Sequence, residues 1–234
     1  MILRHTFEVG LESVNGNYEM TDKRIFAFLE DIATMHSHIA KSDMSFISEF
    51  NQTWVLIEWV MEVTKRPVYS DVIEISTWTR NEKSRYALRD FEIRCKGEVC
   101  AVASSKWLVV DIDTRKIIRL TDEFNRRYQP EDRAVMDISS LSRMSVREEY
   151  DRQADIAIRR TDIDMNGHVH NLVFLDYLGE VREFNETDSF MRITYRKEIR
   201  YEDKVTVKRV TVEGTTSYAI VGEDGTVYAL AESR

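Results

Sequence analysis

Asp162-Ile163-Asp164-Met165-Asn166-Gly167-His168-Val169-His170-Asn171, followed at once by Leu172-Val173-Phe174-Leu175-Asp176-Tyr177-Leu178, sets a polar cluster against an amphipathic run. Asp164, Asn166 and His168 alternate along the chain. Side chains two apart in an extended segment point the same way, so the spacing predicts a carboxylate, an amide and an imidazole on one side. The adjoining run carries apolar residues at helical steps, and a helix is expected right after His168. Backbone N–H groups near residues 169–171 would then face a place where negative charge can be held. Asx residues ahead of a helix also serve as plain turn and capping groups, and spacing by itself leaves both readings open.

The same plan occurs earlier in the chain. Phe28-Leu29-Glu30-Asp31 parallels Phe174-Leu175-Asp176-Tyr177, Tyr69-Ser70-Asp71-Val72-Ile73-Glu74-Ile75 parallels Tyr201-Glu202-Asp203-Lys204-Val205-Thr206-Val207, and Gly97-Glu98-Val99-Cys100-Ala101-Val102-Ala103-Ser104-Ser105 parallels Gly225-Thr226-Val227-Tyr228-Ala229-Leu230-Ala231-Glu232-Ser233. Each match is short, but all three keep their order, and the separation between partners shrinks along the chain. The pattern implies a duplicated α+β unit with a shorter second copy.

In the first copy, residues 2–9 alternate as a strand. Thr21 or Asp22 can cap a helix whose apolar stripe runs through Ile25, Phe28, Leu29, Ile32, Ala33, His36 and Ile39. Residues 54–63, 71–79, 87–95 and 99–111 are rich in β-branched and aromatic types and read as strands. Pro67 lies in a connection, where a missing N–H does least harm. From 121 to 147 the chain is charged, holds Pro130 and shows no period. The expected division is a first unit over 1–125, a linker over 126–150 and a second unit over 151–234, each unit a long helix wrapped by a curved antiparallel sheet. Such units packed side by side would cover strand edges. At its helix start the first copy has Glu19-Met20-Thr21-Asp22-Lys23 and no Asp-x-Asn-x-His. The second copy is therefore expected to carry the chemistry, leaving the first to shape a pocket. Trp54, Trp59, Trp78 and Trp107 are expected in the first unit's core, and His36 and His38 are read as structural or pocket-lining.

The 234 residues can bury a substantial core as one domain or two, and 43% hydrophobic with 32% charged residues describes an ordinary globular chain. A net charge of -8 argues against a general nucleic-acid binder. Cys95 and Cys100 flank the turn residues Lys96-Gly97-Glu98-Val99 and are read as reduced strand cysteines in preference to a cross-strand disulfide. Apolar runs fall far short of the roughly twenty residues that span a bilayer, and the first residues carry no targeting pattern. A cytoplasmic protein without membrane insertion is the expectation.

The motif Asp-Ile-Asp-Met-Asn-Gly-His-Val-x-Asn, with Tyr195-Arg196-Lys197-Glu198 some thirty residues on, resembles the acyl-acyl-carrier-protein thioesterases of plant plastids and bacteria. The likeness extends through Pro67, Thr77-Trp78, Arg89-Asp90-Phe91 and Ala103-Ser104-Ser105-Lys106-Trp107 and so covers most of the chain. It implies two tandem hotdog units and a thioester hydrolase that frees fatty acid from its partner, an acyl carrier protein bearing a fatty acyl phosphopantetheine thioester. The family's catalytic network falls on Asp164, Asn166, His168 and Glu198. Glu198 would act as general base on water, His168 and Asn166 would orient that water and the carbonyl, and Asp164 would fix the histidine's tautomer; His168 as base with Glu198 behind it stays open. Because a thiolate leaves easily, neither a cofactor nor a metal is required. Many members have a cysteine directly after the glutamate, where this chain has Ile199, and their second motif asparagine is His170 here.

The family's first unit chiefly sets chain length, which points to Ile32, Met35 and the 54–60 strand as pocket walls. An acidic carrier would dock on a positive patch, with Arg159, Arg160, Arg196, Lys197 and Arg200 as candidates. Competing readings are an acyl-CoA thioesterase on the same scaffold and a non-catalytic acyl-binding lipid sensor; the His-Phe-Pro-Gly signature of hotdog dehydratases is absent. Chain length, saturation preference and oligomeric state, a homodimer included, are left open. One tension is internal to the pattern. Strict alternation over residues 191–199 places Glu198 with Arg192, Thr194 and Arg196, away from the core, so a bulge or an edge position is needed for it to meet His168.

Overall fold

The computed structural model describes residues 1–42, 51–81, 86–120 and 122–234, with the side chains of 123–125 left aside. Its strands are β1 (Leu3–Glu8), β2 (Gln52–Val63), β3 (Val72–Thr79), β4 (Ala87–Cys95), β5 (Glu98–Asp111), β6 (Ile117–Ile118), β7 (Arg152–Ile156), β8 (Phe190–Tyr195), β9 (Val205–Val212), β10 (Thr215–Gly222) and β11 (Val227–Ser233), with helices α1 (Asp22–Ile39), α2 (Asp122–Tyr128) and α3 (Val173–Gly179). All strands join one antiparallel sheet in the order β1-β3-β4-β5-β2-β8-β11-β10-β9-β7, with β6 on β5. Taken inward from either edge, β1-β3-β4-β5-β2 and β7-β9-β10-β11-β8 share one plan, six strands apart in chain order. The halves meet where β2 pairs β8, from Glu58 opposite Thr194 to Glu62 opposite Phe190.

The five strands read from the first half agree with the observed ones to within two residues. Thr21 caps α1 by accepting the Arg24 N–H at its hydroxyl. Ile25, Phe28, Leu29, Ile32, Ala33 and His36 are buried, whereas Ile39, expected in the same stripe, is 52% exposed at the last turn. The second helix departs from the expectation of two long helices. It has seven residues and ends at Gly179, because the shorter copy offers only two turns of apolar sequence. One continuous core runs between the helices and the sheet, from Ile25, Phe26 and Trp59 to Phe174, Tyr177 and Ile193.

The opposite face of the sheet is covered by the stretch that follows α2, residues 129–150. Most of the stretch expected to be a linker lies flat as a strap, with Ile138 packed on Val60, Leu88 and Phe190, and Met144 on Ala219 and Leu230. A segment without regular structure must find partners for its carbonyls. Arg80 donates to Met136 O, Arg192 to Ser142 O and Arg196 to Met144 O at 2.7–2.8 Å. The arginines are held in turn by buried carboxylates, Asp90 on Arg80 at 2.8 Å and Glu58 on Arg192 at 2.6 Å. Trp78 belongs to this outer layer, its indole N–H on Arg133 O and the Arg133 guanidinium 3.9 Å over the ring. Of the four tryptophans expected in the first core, Trp59 is there, Trp107 borders it, and Trp54 packs with Ala40 and Tyr128.

A buried ion network crosses between the halves: Asp22 pairs with Arg66 at 2.8 Å and Arg182 at 3.0 Å, and Arg182 also reaches Asp188. Burial is the largest influence on Asp188 and pushes its carboxyl up to about 6. Cys95 and Cys100 are buried free thiols. Among the described residues no helix is long and apolar enough to cross a membrane.

Candidate active site

The motif folds as a tight turn, not as the extended segment its alternation suggested. A 3-10 turn at Arg160–Asp162 delivers the chain to Ile163, which bridges Val169. Between them Asp164 N donates to His168 O at 2.8 Å and Gly167 N to Asp164 O at 3.1 Å. Gly167 takes φ +80°, which glycine adopts without strain. Asp164 Oδ1 accepts the backbone N–H of Asn166 at 2.8 Å and of His168 at 3.3 Å, and Oδ2 accepts from Asn166 Nδ2 at 3.3 Å. A short carboxylate that bonds its own downstream backbone overrides strand alternation. The expectation that Asp164 fixes the imidazole tautomer is corrected accordingly: its partners are backbone N–H groups and the Asn166 amide.

Two of the N–H groups expected to be free, those of Val169 and His170, are engaged. Val169 N donates to Ile199 O at 2.8 Å and His170 N to Asp162 O at 2.9 Å, and the helix starts only at Val173. Asp162, buried at the base of the turn, also accepts from Arg159 N and Nε at 2.9 Å and from the Tyr177 hydroxyl at 3.0 Å. Nothing in the motif's alternation marked it.

Glu198 reaches the turn through the irregularity that strict alternation required. After β8 ends, the N–H groups of Arg196 and Lys197 both donate to Tyr228 O, at 2.8 and 3.2 Å. Two residues against one on β11 re-aim the side chains beyond them. Glu198 Oε2 then lies 3.0 Å from His168 Nε2, a pair whose side chains are 48% and 17% exposed. Its other oxygen, Oε1, is 3.4 Å from Arg115 Nη1, on the turn after β5. His168 and Glu198 thus meet, while Asp164 and Asn166 sit behind them in the turn.

A second contact from the first half reaches the same turn. His170 Nε2 lies 3.4 Å from Glu30 Oε1 on α1, and its Nδ1 accepts the Leu172 N–H at 3.3 Å. Glu30 holds the imidazole above its usual pKa by accepting from it, against the opposing effect of burial. The Tyr195 hydroxyl donates to Asn171 O at 3.1 Å, and full burial pushes the phenol well up. His36 is inside the first half, its Nδ1 2.8 Å from Arg89 Nη1; burial first, then Arg89, push it down to about 3. Of the expected docking cations, Arg159 is committed to Asp162, Arg196 to Met144 O, and Lys197 lies over the Tyr228 ring.

The first half contains the same turn. Leu11–Ser13 is a 3-10 turn, Val14 bridges Met20, Asn15 N donates to Glu19 O, and Asn15 Oδ1 accepts from the N–H of Asn17 and Glu19. Tyr18 has φ +62° where the second copy has Gly167. Met20 N donates to Pro67 O as Val169 N donates to Ile199 O. By this register Glu19 stands at the place of His168 and Arg66 at that of Glu198. The twin therefore begins at Asn15-x-Asn17, earlier than the helix start at which the sequence pattern placed it, and it lacks the imidazole and carboxylate.

A cavity of about 700 Å³ lies between the start of α1 and the end of α3, lined by Lys23, Asp155, Arg159, Asp176, Tyr177 and Arg182 among others. Neither His168 nor Glu198 lines it. Among the described residues no cluster of His, Cys, Asp and Glu is arranged to hold a metal.

Residues 2–128 match the family model described as the acyl-ACP thioesterase N-terminal domain, and residues 145–234 match that of the C-terminal domain. Oleoyl-acyl carrier protein thioesterase 2, chloroplastic, of Arabidopsis thaliana is 30% identical over 221 residues, which make up 86% of this chain and 59% of that protein. The 12:0-ACP thioesterase from Umbellularia californica superposes with a TM-score of 0.89 at 17% identity, covering 100% of this chain and 96% of that one. An acyl-ACP thioesterase from Bacteroides thetaiotaomicron gives 0.89 at 20% identity, covering 99% and 96%.

Proposed function

The chain belongs to the acyl-ACP thioesterase family, and from that premise we propose that it hydrolyses acyl-acyl carrier protein, releasing free fatty acid and ending chain elongation. The observation that carries the reading is the 3.0 Å contact between His168 Nε2 and Glu198 Oε2 beside a rigid turn. Glu198 takes a proton from water as its oxygen attacks the thioester carbonyl, with His168 and Asn166 orienting the water and the carbonyl. The C–S bond then breaks and the proton passes to the departing sulfur. Ile199, fully buried next to the glutamate, has no nucleophile to offer, so the attack is by water. Asp164 acts through the backbone it holds.

The architecture is read as two tandem hotdog units, 1–125 and 151–234, joined by 126–150; the repeated strand order and the twin turns support it. The first unit takes the acyl chain against the α1 face bearing Ile32 and Met35 and against β2. The carrier docks on the exposed cations around the pair, Arg160 and Arg200 among them. Reduced Cys95 and Cys100 accord with a cytoplasmic setting.

Glu198→Gln and His168→Ala are each expected to lower kcat on acyl-acyl carrier protein by at least roughly a hundredfold, with unchanged thermal unfolding. Activity that survives both changes overturns the mechanism. Matched carrier and CoA thioesters should show preference for the carrier, and a clear CoA preference overturns the substrate assignment.

A further inference from the structure

We propose that Arg115 is a positioning residue for Glu198, the first half's contribution to the reacting centre; the inference rests on the catalytic reading of Glu198 above. The two oxygens of that carboxylate are divided, Oε2 facing His168 Nε2 at 3.0 Å and Oε1 facing Arg115 Nη1 at 3.4 Å. A carboxylate tethered at one oxygen only can swing about its χ angles, whereas partners on opposite sides fix the plane in which the other oxygen meets the imidazole. The two cations that precede Glu198 in sequence are turned to other work, Arg196 to Met144 O and Lys197 to the Tyr228 ring. The guanidinium that reaches Glu198 comes from 83 residues away.

The turn that presents Arg115 is held by its own hydrogen bonds. Arg115 has φ +57°, a left-handed backbone that a non-glycine residue adopts only when its surroundings enforce it. The enforcement is visible. Arg115 N donates to Asp111 O at 2.9 Å, Asp111 N to Lys116 O at 3.0 Å, and Thr114 N and Oγ1 both donate to Asp111 Oδ1 at 2.8 Å. Asn51 braces the outside, accepting Ile112 N at its carbonyl and donating Nδ2 to Asp113 Oδ2. Arranged in this way, the centre is incomplete in either half taken separately.

The measurement is steady-state kinetics of Arg115→Ala, Arg115→Lys, Lys116→Ala, Glu198→Gln and the Arg115→Ala/Glu198→Gln double variant. Two substrates are used, an acyl-acyl carrier protein and the corresponding small N-acetylcysteamine thioester, which has no carrier to dock. Arg115→Ala is expected to lower kcat about two- to fivefold on both substrates, within the range of a partly exposed ion pair. Arg115→Lys and added guanidinium should each restore part of the loss, and Lys116→Ala should leave kcat unchanged. In the Glu198→Gln background, Arg115→Ala should have no further effect, because its action passes through that carboxylate. A loss confined to KM for the carrier and absent with the small thioester overturns the proposal in favour of docking, as does additivity in the double variant. Full activity in Glu198→Gln overturns the catalytic reading and this inference together.

Discussion

At the residue scale, the turn that carries the candidate site is governed by a side chain whose partners are mostly its own backbone. Asp164 holds Asn166 N and His168 N on one oxygen, so its acceptor matters more than its charge. Asp164→Asn, which keeps an acceptor oxygen, should retain activity within about tenfold, whereas Asp164→Ala should lose more and destabilise the fold by about 1 kcal/mol per vacated bond, read by denaturant unfolding. His170 makes a pH-dependent contribution. Glu30 raises its pKa above 6.5, so the contact stabilises the fold fully below that value and fades as pH climbs through the folded one. The Tm gap between the wild type and His170→Asn should be widest below pH 6.5 and narrow as pH rises above it. The motif was legible as a polar constellation because its residue types are chemically specific. Its conformation was not, because alternation describes strands and says nothing of an aspartate that folds the chain back on itself. Glu198 shows the complementary case: the pattern stated that an irregularity was needed, and the doubled N–H on Tyr228 O supplies it.

At the scale of elements, β1 to β5 and α1 announced themselves by period, since each has one face on the core between helix and sheet. The strap over residues 129–150 did not, because its order comes from what lies beneath it and from arginines on β8 and beyond β3 that satisfy its carbonyls. Its presence also explains why Trp78 was misassigned. Where both faces of a sheet are covered, an apolar residue no longer reveals which way it points. Ile138, 1% exposed between Val60, Leu88 and Phe190, anchors the strap, and Ile138→Ala should cost roughly 2–4 kcal/mol in denaturant unfolding if the strap is part of the cooperative fold. A loss below about 0.5 kcal/mol, the usual range for surface changes, would show the strap to be peripheral.

For the whole molecule, the β2–β8 ladder and the buried network of Asp22, Arg66, Arg182 and Asp188 join the halves through their interiors. Residues 1–128 or 145–234 produced separately would expose an unpaired central strand and unmatched buried charges, and each should be insoluble or unfolded. Co-production of 1–144 with 145–234 should recover a complex of the full mass by size exclusion, and a folded monomer of either part would contradict this. The two edges left to solvent, β1 and β7, are short and largely polar, which suits a sheet that stops growing there. The turn at Asn15, Asn17 and Glu19 bears on any search for inhibitors. The chain holds an internal blank with the shape of the candidate loop and neither its imidazole nor its partner carboxylate. A compound that reads only that shape would saturate at two equivalents per chain, whereas one that engages imidazole and carboxylate would saturate at one. Titration stoichiometry can therefore sort the two before any turnover is measured.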